Sequence, residues 1–86
     1  MKTAVWDTYV KKKDGTVMHF DIVVPEDLKN EETILGFGKE FLKAKNQEGQ
    51  VLTSKESRFC HIEPAKPAAQ ADIKEIGYHI VEMEGC

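Results

Sequence analysis

The chain has 86 residues, enough for one domain (1–86), and at this size only roughly 60 to 65% of the unfolded chain's surface is buried on folding, so the core is modest. With 31% charged and 41% hydrophobic residues it is too apolar for a disordered chain and ordinary for a folded one. A net charge of -3, with bases scattered among acids, leaves no electrostatic footprint for nucleic acid, and no segment approaches the roughly 18 apolar residues of a membrane span.

The opening "MKTAVWDTYV" reaches Asp7 without the continuous apolar stretch of a signal peptide, so the expected compartment is the cytoplasm. "AVWDTYVKKKDGTVMHFDIVV" then reads as a β-hairpin, with β-branched and aromatic residues flanking a turn in which Gly15 supplies positive φ. The basic run Lys11 to Lys13 is its tip, read as a solvated turn with lysines guarding a strand edge. A three-residue loop, Lys13-Asp14-Gly15, pairs Lys12 with Thr16 and sets Val10 against Met18, Thr8 against Phe20, Trp6 against Ile22 and Ala4 against Val24. A two-residue Asp-Gly loop would set Val10 against His19 and Asp7 against Ile22, mixing polar and apolar residues on both faces. A one-residue slip inverts every side chain, so the cleaner segregation favours the longer loop.

Pro25 stops the second strand, and Asn30 is a suitable N-cap for a helix whose first turn carries Glu31 and Glu32. Ile34, Phe37, Phe41 and Ala44 recur at helical spacing, widened by Leu35 and Leu42, which predicts an amphipathic helix to about Asn46. Gly36 and Gly38 each cost about 1 kcal/mol there relative to Ala, and Gly38 lies on the apolar side, where a close approach to the sheet would explain it. "GFGKE" lacks the spacing of any phosphate loop. "NQEGQ" is a turn, and "VLTSKESRFCHIE" holds one strand or two short ones, "RFCHI" being the clearer. Pro67 and Gly77 bracket a shorter helix with Ala69, Ile73 and Ile76 on one face, and "YHIVEME" closes the chain as a strand. The expected fold is α+β, order ββαβαβ: a single mixed β-sheet of four to five strands with two helices on one face.

In the favoured register the face opposite the helices displays Val5 beside Val23, Asp7 beside Asp21 and Tyr9 beside His19. Directly opposed carboxylates repel unless a cation, a shared proton, a neighbouring base or water offsets them. Asp7, Asp21 and His19 could bind a divalent metal, could act as an acid and base pair, or could form a plain solvated face that resists aggregation. Cys60 and His61 are adjacent on a strand and so are expected on opposite faces. A zinc site would need Cys60 with Cys86, or His61 with His19 and His79. Neither set has the short spacing of zinc motifs, so no metal ligand and no cofactor is assigned. A Cys-His nucleophilic pair is unaccompanied by any oxyanion motif. In a reducing compartment Cys60 and Cys86 are expected as free thiols.

"DTYV", "MHFDI", "EGQ", "FCHIE" and the ending "YHIVEMEGC", taken in order, resemble a family of small, mostly bacterial proteins known as a domain of unknown function, number twenty twenty-four in its series. The resemblance covers essentially the whole chain. It implies an α+β fold and no established activity, cofactor or catalytic residue.

The reading is therefore a small cytoplasmic binding or protein-interaction module, with a small enzyme or metal-dependent site using Asp7, His19 and Asp21 as the alternative. Candidate binding residues are Asp7, Tyr9, His19, Asp21, His61 and His79. Val5, Val23 and Tyr9 make the second sheet face apolar enough to suit a protein partner or a second copy. Neither nucleic acid nor membrane is an expected partner.

Overall fold

A computed structural model describes residues 1–86. The elements run β1 (Lys2–Lys11), β2 (Val17–Pro25), α1 (Glu31–Ala44), β3 (Ser57–Pro64), α2 (Pro67–Ile76) and β4 (His79–Glu84), the expected ββαβαβ order of an α+β fold. The four strands form one sheet in the order β3-β1-β2-β4.

The hairpin has the three-residue loop: the Lys12 amide donates to Thr16 O at 2.7 Å, and the Asp14 carboxylate accepts from the Thr16 amide and hydroxyl. Gly15 takes φ +90°, which only glycine adopts without strain. The register follows, with Trp6 opposite Ile22, Asp7 opposite Asp21 and Tyr9 opposite His19.

Two features of the expected architecture are corrected. The sheet is antiparallel throughout, not mixed. β2 and β3 do run in the same direction, but β1 lies between them and is antiparallel to both. "VLTSKE" adds no fifth strand: Leu52 is buried, and Thr53 and Glu56 close a turn in which the Glu56 carboxylate accepts from the Thr53 amide and hydroxyl.

The second correction concerns the helices, which lie on different faces. Ile34, Phe41 and Leu42 of α1 pack with Ala4, Val10, Met18, Phe20, Ile22 and Val24, all from one side of the hairpin. Ala69 of α2 packs on Val5 and Val23, from the other side. The strand order and directions remove the basis of the one-face expectation. The connection through α1 travels from β2 to the β3 edge, whereas the one through α2 travels back across the sheet to β4. β2 and β3 run parallel, but β3 and β4 run antiparallel, so the handedness rule for parallel crossovers does not tie α2 to the side of α1.

Gly38 is where α1 meets the sheet. A Cβ there would stand 2.6 Å from Leu52 Cδ2 and 2.9 Å from Ile22 Cδ1, so any side chain would displace both, and the reason for glycine is proximity rather than φ. Asn30 caps α1 by accepting from the Thr33 amide, and Gly77 ends α2 at φ 92°. No helix is long and apolar enough to cross a membrane.

Candidate functional site

α2 has ten residues and covers only the Val5 and Val23 end of its face, leaving the row nearer the hairpin turn open. That row holds Asp7 and Tyr9 from β1, and His19 and Asp21 from β2. Cross-strand neighbours on one face touch both directly and along the diagonal. His19 uses both directions. Its ring stacks on Tyr9, directly opposite, with centroids 4.1 Å apart and planes 11° from parallel. Its Nε2 reaches the diagonal neighbour, 2.5 Å from Asp7 Oδ1. The stack thus holds the imidazole edge-on to the carboxylate.

Asp21 completes the group. One donor atom from each of Asp7, His19 and Asp21 lies within 4.8 Å of the others, and all three residues are half-buried. Burial, followed by the contact with and repulsion from Asp7, pushes the Asp21 carboxyl above its ordinary value of 3.8, with His19 and His61 opposing. The cluster thus contains one carboxylate paired to an imidazole and one that holds its proton more tightly than usual.

The remaining candidates have partners of their own. His79 Nδ1 lies 2.6 Å from Asp72 Oδ2, joining β4 to α2. His61 Nε2 lies 2.7 Å from Glu63 Oε1, and its Nδ1 lies 3.2 Å from Cys60 Sγ. The expectation that Cys60 and His61 diverge is therefore corrected. The register slips between Val5, which faces His61, and Trp6, which faces Phe59, so Cys60 is the extra residue of a β-bulge and loses the alternation of a regular strand. The Glu63 partner was available to sequence reasoning as an i, i+2 pair on one strand face. Asp72 was not, because only the return of α2 over the sheet brings it to His79.

Cys60 and Cys86 are both free thiols. Cys60 is on β3 and Cys86 follows β4, the opposite edge of the sheet. Three strand spacings of ~4.8 Å separate those edges by ~14 Å, twice the ~7 Å span a disulfide allows. The Cys86 thiol faces the His19 carbonyl at 3.5 Å, and burial with the nearby Glu82 carboxylate raises its pKa.

The apolar pair expected to make this face sticky is not available to a partner: Val5 and Val23 are buried beneath Ala69. Tyr9 stays half exposed on this face, and further exposed apolar side chains lie at both sheet edges: Val81 and Met83 on β4, and Phe59 and Ile62, 52% and 42% accessible, on the α1 side of β3.

Comparison with known proteins agrees with this architecture and supplies no activity. The chain is similar over its whole length to protein NE1680 from Nitrosomonas europaea, solved by NMR, with 45% identity, a TM-score of 0.86 and coverage of 100% of this chain and 99% of that one. No curated protein matches. The family model described as "Domain of unknown function (DUF2024)" matches residues 1–83, and the chain belongs to that family.

Proposed function

We propose that this domain is a binding module whose ligand is a divalent cation, or a small molecule carrying one, held by Asp7, His19 and Asp21 beside the Tyr9 ring. The observation that supports this reading is the convergence of three donor atoms within 4.8 Å on an open, half-buried face. A cation would also offset the repulsion between Asp7 and Asp21, which folding otherwise forces together. One imidazole nitrogen and two carboxylates suit zinc, manganese or iron better than calcium, which prefers an all-oxygen shell. Three protein donors leave coordination positions for water or a small molecule. His19 would have to bind through an unprotonated nitrogen, so affinity should fall as the solution is acidified.

A second reading is a small enzyme that uses the same residues for proton transfer. It is favoured by the raised Asp21 carboxyl next to the His19–Asp7 pair, since acid and base roles arise where neighbouring groups have their proton affinities driven apart. Under either reading the acidic net charge of -3 argues against nucleic acid as the ligand.

Thermal denaturation of the parent, Asp7→Asn and Asp21→Asn proteins in the presence of zinc, manganese, magnesium and calcium salts tests the proposal. A ligand bound only by the folded state raises the melting temperature by mass action. The expected result is a rise with a transition ion in the parent that is lost in both variants. Equal responses in all three proteins, or none in any, would rule the cation out.

A further inference from the structure

The β3 edge carries features that the cation site leaves unused. β3 borders the sheet with only β1 beside it, so one row of its backbone N–H and C=O groups has no strand partner. An exposed edge of this kind is a template for another strand, and proteins commonly blunt it with charges or a bulge. β3 has both, yet their placement favours one partner.

Arg58 faces Asp7 and Glu63 faces Thr3, two positions four apart on β1, so Arg58 and Glu63 share a face although they are five positions apart on β3. Phe59 and Ile62, opposite Trp6 and Ala4, share the other face. The bulge at Cys60 makes this so, because without the extra residue each pair would be split between faces. The edge is thereby self-complementary. Turned about a two-fold axis through the Cys60–His61 bulge, a second β3 sets Arg58 against Glu63 of the other copy and Phe59 against its Ile62, twice each. Centring the axis on Arg58 would oppose like charges. Shifting it by half a residue from the bulge would set apolar side chains on the charged face.

We propose that two copies of this chain pair antiparallel through their β3 edges about this axis, extending the two sheets into one. Arg58 has no ion pair within its own chain, so its guanidinium is available to the second copy. Glu63 receives His61 through Oε1 and keeps its second oxygen for Arg58. Phe59 and Ile62 also border a groove of about 230 Å³ with Ala4, Leu28 and the stems of Glu26 and Lys29. The facing Phe59 and Ile62 of the second copy would lie alongside that groove and remove both exposed side chains from water. A contact made by one eight-residue strand edge is expected to be weak, so assembly should depend on concentration. The edge adjoins the cation site, because Arg58 lies across the strand pair from Asp7, but the association requires no cation.

Sedimentation equilibrium over a wide concentration range tests it on the parent, Arg58→Glu, Glu63→Arg and an equimolar mixture of the two variants. The parent is expected to dimerise reversibly. Each single variant opposes two pairs of like charges in its own dimer and should associate roughly tenfold more weakly. In the mixture, the Arg58→Glu chain is acidic at both positions and the Glu63→Arg chain is basic at both, so a mixed dimer opposes unlike charges again and association returns. Far-ultraviolet circular dichroism checks that both variants remain folded. A parent that stays monomeric at every concentration overturns the proposal, as do variants that associate like the parent or a mixture that associates no better than its components.

Discussion

The two faces of the sheet are built from alternate residues of the same two strands and behave as different materials. On the α1 side, Val10, Met18, Phe20, Ile22 and Val24 are almost wholly buried in contact with a helix. On the α2 side, a shorter helix covers Val5 and Val23 and then stops, so that Asp7, His19 and Asp21 are only partly withdrawn from water. Stability is concentrated on the first face. The second tolerates an unfavourable pair of carboxylates because little depends on its packing.

The largest effect separating the faces is expected at Phe20, which is fully buried and lies with its ring centroid 4.7 Å from that of Phe41. Phe20→Ala should cost about 3 to 5 kcal/mol, a large part of the stability of a small domain, measured as a fall in the urea midpoint. A loss below about 1 kcal/mol would erase the contrast between the faces.

The open face should show a smaller and asymmetric response. Asp7 accepts from or pairs with His19, whereas Asp21 has no such partner and is crowded by Asp7. Asp7→Asn should therefore cost about 1 kcal/mol, and Asp21→Asn should be silent or stabilise by up to about 1 kcal/mol at neutral pH. Equal losses at both positions would mean that the carboxylates act as one paired unit.

The pH dependence sharpens the same distinction. The carboxyl of Asp21 is raised in the folded state, so the native protein holds that proton more tightly than the unfolded chain does. Its ionisation therefore destabilises the fold. The penalty is complete above the raised folded value and disappears as the pH falls towards the ordinary value of 3.8. Against the background of the other carboxylates, parent stability minus Asp21→Asn stability should increase on acidification through that window. A flat difference would remove the argument that Asp21 is strained by Asp7.

The smallest contrast is between the two thiols at opposite edges. Both thiols are exposed, but partial burial and Glu82 hold the Cys86 thiol back, while Cys60 lies beside His61. Thiolate is the reactive form, so Cys60 should be alkylated faster than Cys86 at neutral pH, as followed by peptide mass spectrometry. Faster reaction at Cys86 would show that the end of the chain opens away from His19.

Local chemistry made much of this protein legible in its sequence. The loop of Lys13, Asp14 and Gly15 set the hairpin register because only one register kept Met18, Phe20, Ile22 and Val24 together, and that register alone brought Asp7 against Asp21 and Tyr9 against His19. Asn30, Pro67 and Gly77 marked helix ends through hydrogen bonds and dihedral preferences that act within a turn of chain. Three features could be decided only by the tertiary structure. Which face α2 covers depends on where β3 docks, since docking beside β1 forces the next connection to travel back across the sheet. The meeting of Cys60 with His61 depends on a bulge, which arises from pairing with β1 and leaves no trace in the alternation of "RFCHIE". The distance from His19 Nε2 to Asp7 depends on a rotamer held by the Tyr9 ring. The first two turn on how α2 and β3 dock against strands far away in the chain, and the third on a side-chain packing choice within the hairpin, so residue spacing decides none of them.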